Sequence, residues 1–234
     1  LPSYFYPMNV LEQLLFSYSE KTIPILDSSI PLSCYVPLDL SVDNVELKKR
    51  DISSPTGCQS YIDAVLEQNS GHVAYGGYLE HRNLYADKAS FNDKNSHPRN
   101  IHLGIDYWAP SGTAVIAPLD GTVHSFKNNN VIGDYGPTII LEHQLNAIVF
   151  YSLYGHLSLE SLRGMKTGKK FKAGTVLATL GTPDINVNYA PHLHFQIIHD
   201  LEGNWGDYPG VCAKDRLDFY KDNCPDPNLL LKIT

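Results

Sequence analysis

Residues His192-Leu193-His194-Phe195-Gln196-Ile197 alternate strictly between polar and apolar side chains. Successive side chains of a β-strand point to opposite faces, so His192, His194 and Gln196 share one face and Leu193, Phe195 and Ile197 the other. A chain carrying this strand must build a sheet with one face on an apolar core and two imidazoles on the opposite face. Two readings of the pair stay open at this point. The face is either a half-buried one that happens to hold two histidines, or one that presents ligands or acid/base groups to a cleft. Partners elsewhere in the chain decide between them.

The 234 residues suffice for one sizeable domain, or for one domain plus a long extension, with a core that needs no disulfide staples. Lys+Arg 18 against Asp+Glu 25 gives a net charge of -7. There is no basic stripe, which argues against nucleic acid and anionic membrane as partners. No apolar run approaches the roughly 20 residues of a membrane span. The chain starts at Leu1 without the basic, continuously apolar start of a secretory signal, so a processed or trimmed product is expected. Cys34, Cys58, Cys212 and Cys224 have no Cys-x-x-Cys spacing and make no structural zinc knot. Cys34 with Cys58 and Cys212 with Cys224 are possible disulfides in an oxidising compartment; buried free thiols are the alternative.

Three regions are expected: an N-terminal extension over 1–75, a β-rich domain over 76–200 and a C-terminal tail over 201–234 packed on that domain. In the extension, Val10, Leu11, Leu14 and Leu15 form a helical stripe between about Met8 and Tyr18. An extended, proline-bearing stretch follows from Ile23 to Asp39. Ser54-Pro55 reads as an N-cap and first helical residue, and Gly71 as a stop, for a second helix from about Pro55 to Asn69. Turn signals such as Pro118-Leu119-Asp120-Gly121 and Gly181-Thr182-Pro183 then punctuate β-rich runs. These runs are Thr113 to Ala117, Thr138 to Glu142, Ala147 to Tyr154 and Thr175 to Leu180. The pattern is that of an antiparallel β domain. Ser111 to Ala117 and Ala173 to Thr179 echo each other, which suggests two similar hairpins in a folded-over sheet.

Partners for the histidine pair lie in Ile101-His102-Leu103-Gly104-Ile105-Asp106 and in Tyr154-Gly155-His156-Leu157-Ser158. Zinc takes imidazole nitrogen and carboxylate oxygen at about 2.0–2.2 Å, and catalytic sites use three protein ligands with one position open. His102, Asp106 and one of the paired histidines make such a set.

These motifs occur in one order with Ala109-Pro110-Ser111-Gly112-Thr113 and Asp120-Gly121-Thr122-Val123, over about Ile101 to Ile198. Together they resemble the lysostaphin-type or LytM-like zinc endopeptidases, which cut peptide stems or bridges of bacterial peptidoglycan. The resemblance implies a mainly β fold, an antiparallel folded-over sheet of the LytM-like kind with an N-terminal α-containing extension. It also implies one zinc ion bound by His102, Asp106 and His194, with His156 and His192 as unligated catalytic histidines. A peptidoglycan peptide or another peptide would be the substrate, and the location periplasmic or secreted, with cytoplasmic as the alternative.

The chain has no His-Glu-x-x-His helix, so no adjacent glutamate can serve as base and imidazole must move the protons. In the implied mechanism zinc activates a water and polarises the scissile carbonyl. His192, two residues from a ligand, is then the favoured base and His156 the oxyanion or leaving-group partner, although the sequence leaves the two interchangeable. The stretch from Gly181 to Pro191 lacks the later glycine common in the family, which affects the expected cleft shape. Two other classes are a non-catalytic LytM-like binding or regulatory protein and a lipoyl- or biotinyl-carrier-like domain; the second lacks a convincing lysine tip. His72, His81, His97, His124 and His199 have no spaced partners, His143 could border the cleft, and Glu80 and Arg82 could form a structural ion pair or touch a substrate carboxylate, with a solvated pair the favoured expectation. The first 100 residues either complete the core or lie across the cleft.

Overall fold

The computed structural model describes residues 8–82 and 98–233. Its main sheet has eight strands. In spatial order these are β1 (Tyr35–Pro37), β2 (Val73–Gly76), β4 (Ile105–Trp108), β11 (His192–Ile198), β8 (Ile148–Gly155), β7 (Gly136–Leu145), β6 (Gly121–Asn129) and β9 (Lys170–Phe171). Only β1 with β2 is parallel among its pairings. Two small sheets accompany it, β5 (Ala114–Ile116) with β10 (Val176–Thr179), and β3 (Ile101–His102) with β12 (Val211–Cys212). The fold is mainly β and dominated by antiparallel pairing.

Hydrogen bonding joins the three regions of the chain. β2 sets Ala74 opposite Trp108 and Gly76 opposite Asp106, and β1 continues the sheet edge. Helix α1 (Val10–Tyr18) opens with a capping box in which Asn9 and Glu12 satisfy each other's backbone N–H. Its Leu11 and Leu15 are buried. Val10 is 61% exposed, against the expected stripe, because the helix begins only at this residue and its buried face starts one position later. Helix α2 (Pro55–Gln68) has the expected Ser54 cap and Pro55 start. It ends where the Gly71 N–H donates to the Leu66 carbonyl at 2.8 Å. In the tail, α3 (Leu217–Asn223) is followed by α4 (Asn228–Leu231), which packs on α1. The Ile23 N–H donates to the Leu231 carbonyl at 2.9 Å. No described helix is long and apolar enough to cross a membrane.

The expected β-rich runs correspond to β5, β7, β8 and β10. The polar β6 shows no clean alternation; exposed Lys127 and Asn128 break the apolar pattern. The echoing segments do not make separate hairpins. They pair with each other, Thr179 opposite Ala114 and Val176 opposite Ile116 with a bulge between. Cys34, Cys212 and Cys224 are free thiols, so neither disulfide forms; Cys212 and Cys224 pack as small apolar side chains beside Leu201 and Tyr208.

Leu193, Phe195 and Ile197 of β11 enter one core with Ile105 and Tyr107 of β4, Phe150 and Tyr154 of β8, and Leu11, Leu15, Leu230 and Leu231 of the terminal helices. Full burial contributes about 1.5–3 kcal/mol for a side chain such as Leu193 or Phe195. The other face of the sheet is covered as well. Ala74 and Trp108 meet Tyr61 and Ile62 of α2, while Ile140, Leu153 and Ile198 meet Leu201, Tyr208 and Cys224. The histidine-bearing face is therefore a buried one, with a cleft left between its two covers.

His143 does not border that cleft. It lies on β7 at 2% exposure, stacked on Phe150 at 5.2 Å, with Nδ1 donating to the Asp120 carbonyl at 2.8 Å and Nε2 at 2.6 Å from Ser152 Oγ. Burial pushes its pKa down to about 4. The unfolded chain, with an imidazole pKa of about 6.5, therefore takes up this proton first, and folding stability falls as pH drops from about 6.5 to about 4. Melting temperatures of metal-free protein should decline across that window, and the decline should be shallower for His143→Gln; identical slopes would show that His143 contributes nothing.

Candidate metal centre and active site

The register of β4 against β11 sets Asp106 directly opposite His194, and Trp108 opposite His192. Opposed residues on one face have Cβ atoms about 4.5–5.5 Å apart, within reach of a shared ion. On its other side His194 faces Gly155 of β8. The Tyr135 ring packs there, and a Cβ on Gly155 would come within 2.7 Å of it. His102 arrives on β3, held by Val211 of β12 opposite it. Between His102 and Asp106, Gly104 leaves bare backbone for the His194 imidazole; a Cβ there would sit 2.8 Å from His194 Cε1.

Three ligand-type atoms meet as a result. His102 Nε2 lies 2.9 Å from His194 Nδ1, and Asp106 Oδ1 lies 3.1 Å from His194 Nδ1 and 3.3 Å from His102 Nε2. The outer nitrogens carry the protons, because each faces an acceptor. His102 Nδ1 donates to the Gly77 carbonyl at 2.9 Å and His194 Nε2 to Gln196 Oε1 at 2.9 Å. Gln196 is turned this way because its own Nε2 donates to the Pro209 carbonyl at 3.1 Å and to Cys224 Sγ at 3.2 Å. Both inner nitrogens thus present lone pairs to each other and to a carboxylate oxygen. Three converging acceptors with no donor between them repel unless a cation joins them. Their separations approach the edge of about 3.4 Å that a tetrahedron with bonds of about 2.1 Å requires. Two imidazoles and a carboxylate are a donor set that zinc takes, so the residues fit such an ion, and His102, Asp106 and His194 are the group able to hold it.

The second oxygen of Asp106 is taken by Arg82, whose Nη1 donates to Oδ2 at 2.6 Å while its Nε donates to Glu80 Oε2. Glu80 and Arg82 are therefore not the solvated pair expected from the sequence. Arg82 is 2% exposed and braces a buried carboxylate. Gly77 makes this possible. It has φ +108, and a Cβ there would fall 1.9 Å from Arg82 Nη2. Burial pushes the His102 pKa down to about 4, assisted by the Arg82 charge and opposed by Asp106, so this ring is neutral at pH 7. Burial alone would raise Asp106, but the Arg82 guanidinium at 2.6 Å holds the carboxyl well below its ordinary range.

His192 stands next to this cluster with Nε2 3.9 Å from Asp106 Oδ1. Its Nδ1 donates to the Ala190 carbonyl at 2.8 Å, and its ring stacks on Trp108 at 5.7 Å. His156 follows β8 in a left-handed conformation, φ 60, with Nδ1 donating to the Asn186 carbonyl at 3.3 Å and its ring 4.1 Å from that of His192. Burial lowers the pKa of both, and for His156 the neighbouring His192 and His194 add to the effect. Each imidazole therefore keeps its Nε2 lone pair unprotonated and its Nδ1 tethered. Tyr189 lies edge-on to both rings at 5.2 and 5.8 Å and donates its hydroxyl to the Gly133 carbonyl at 3.1 Å. The preceding Val187 and Asn188 are left-handed at φ 60 and 73, a strained conformation for a β-branched residue.

All five residues singled out in the sequence are thus brought together at one cleft of about 280 Å³. Gly77, Arg82, Gln196, Tyr135 and Tyr189 also build it. Gly76-Gly77 was the one local signal for the Arg82 pocket. Tyr189 lies in the stretch that departs from the family pattern, where an altered cleft wall was expected.

Residues 100–205 match the sequence profile described as Peptidase family M23. A peptidoglycan DD-endopeptidase of Vibrio cholerae, ShyC, is 32% identical over 115 residues, 47% of this chain and 24% of that protein. The DD-carboxypeptidase/endopeptidase Mpg of Neisseria meningitidis is 34% identical over 100 residues, 43% of this chain and 20% of that protein. The chain thus spans about a quarter or less of the length of these curated relatives. Among solved structures, the catalytic domain of lysostaphin from Staphylococcus simulans aligns with a TM-score of 0.36 and 25% identity, covering 52% of this chain and 80% of that one. Residues 100–205 form a Peptidase family M23 domain.

Proposed function

We propose that this chain is a zinc metalloendopeptidase that hydrolyses peptide bonds in peptidoglycan stems or cross-bridges. The observation that carries the reading is the convergence of His102 Nε2, Asp106 Oδ1 and His194 Nδ1 as three acceptors, with two neutral histidines alongside in one cleft. The family match and the activities named for the Vibrio and Neisseria relatives support the reaction class and the substrate. A wall-cleaving enzyme meets its substrate outside the cytoplasmic membrane, so the location that follows is periplasmic or secreted.

His102, Asp106 and His194 would hold one zinc ion. When bound, it supplies Lewis-acid polarisation of a carbonyl and lowers the pKa of water. His192 is the better-placed proton acceptor. Its free Nε2 is aimed at the side where Asp106 lies, and that carboxylate favours the imidazolium that proton uptake creates. His156 is surrounded instead by two imidazoles that disfavour its cation, which suits a neutral group at the developing oxyanion or leaving amine. The Nδ1 tethers to Ala190 and Asn186 fix both rings in the tautomer needed. Trp108 and Tyr189 pack on them and limit the water that reaches them.

Purified protein should contain one zinc per chain and release peptide fragments of defined mass from peptidoglycan. Asp106→Ala and His194→Ala should lose metal and hydrolysis together; cleavage that survives in metal-free Asp106→Ala would overturn the reading. His192→Ala and His156→Ala should keep the metal, measured by elemental analysis, and lose about 10²–10⁴ in kcat, the contribution of a positioned acid or base. Full activity in either variant would remove that residue from the mechanism.

A further inference from the structure

The N-terminal region reaches the metal ligands through a continuous chain of hydrogen bonds. The Leu40 backbone N–H donates to Glu80 Oε1 at 3.0 Å. Glu80 Oε2 receives Arg82 Nε, and Arg82 Nη1 donates to Asp106 Oδ2 at 2.6 Å. The other oxygen of Asp106 is the one that faces His102 and His194. Arg82 also lies over the Trp108 ring at 5.8 Å, and Trp108 in turn stacks on His192. A second link comes from the same region, because the Gly77 carbonyl orients His102. Residues 40, 77, 80 and 82 all lie outside the family-matched segment 100–205.

We infer that Glu80 and Arg82 are positioning residues of the metal centre, and that the region preceding the M23 domain completes the site by fixing which Asp106 oxygen is presented to the ion. This rests on the zinc reading above. A buried carboxylate with one oxygen unsatisfied carries a desolvation penalty, and a buried guanidinium needs its charge balanced. Arg82 meets the first need and Glu80 the second. Glu80, Arg82 and Asp106 together carry one net negative charge, which a divalent cation more than offsets. With Oδ2 engaged by Arg82, Asp106 has a single oxygen to offer, which keeps coordination low and a position open for substrate chemistry. The fork of the guanidinium matters, since its Nε and Nη1 serve two different carboxylates; a lysine ammonium at the end of a flexible stem has no such fixed geometry. The region's contacts with the ligands make it a support of the site, so loosening it should weaken metal binding and not release a latent activity.

The test uses the full chain with Arg82→Lys, Arg82→Met and Glu80→Gln. Zinc affinity is measured by competition with a chromophoric chelator, and ligand geometry by the visible spectrum of the cobalt(II)-loaded protein. The expected result is a roughly 10–100-fold loss of zinc affinity in both Arg82 variants and a smaller loss in Glu80→Gln, the range known for outer-shell partners of metal ligands. The cobalt spectrum should weaken as the freed Asp106 takes up the ion with both oxygens. Glu80→Gln keeps an oxygen for the Leu40 N–H at a partly accessible side chain, so it decides the matter if the Arg82 variants fail to fold. Wild-type zinc affinity and spectrum in folded variants would overturn the inference, as would a lowered melting temperature of metal-free protein with unchanged affinity, the mark of a purely structural ion pair. A wild-type chain that binds no zinc would instead overturn the proposed function, and this inference with it.

Discussion

The pairing of β4 with β11 is the constraint on which the rest depends. It fixes Asp106 opposite His194, and a one-residue slip would send Asp106 into the apolar core and Tyr107 into the cleft. The apolar partners on the reverse face make that slip costly. Ile105, Tyr107, Leu193 and Phe195 are buried together with the terminal helices, so the register that fills the core is also the one that assembles the ligands. Gly104 and Gly155 then leave room on either side for an imidazole and a tyrosine ring.

Electrostatics at the site follows from burying a polar face between two covers. Imidazoles taken out of water lose their affinity for protons, which leaves His102, His156 and His192 uncharged and available as ligands or proton acceptors. The carboxylate cannot escape the same penalty by staying neutral, because Arg82 holds it ionised. Desolvation thus works with the chemistry at the nitrogens and against it at the oxygen, and a compensating cation from outside the strand pair is needed at the oxygen alone.

Much of this was legible in the sequence. The alternation from His192 to Ile197 announced a strand with a polar face, and the order of His102, Asp106, His156 and the pair singled out residues that the fold brings to one cleft. Cover on that face was not legible, because α2 and the segment around Tyr208 come from distant parts of the chain. Glu80 and Arg82 looked solvated for the same reason. Spacing along the chain says nothing of the pocket that Gly77 opens for the guanidinium or of Asp106 beyond it. The echoing strands misled in a different way, since similarity between two segments does not say whether each pairs locally or with the other.

The contact between Ile23 and Leu231 gives the fold a temporal property. Closing α1 onto α4 brings together residues from opposite ends of the described chain, and β3 depends on β12 in the same late segment. Contacts of such long sequence separation must overcome loop-closure entropy before they are rewarded, so they form slowly and late. His102 is seated by β12 from one side and by Gly77 from the other. The third ligand is therefore a late arrival, and a ribosome-bound chain that has not yet released residues 211–231 lacks the strand that seats His102 beside Asp106 and His194.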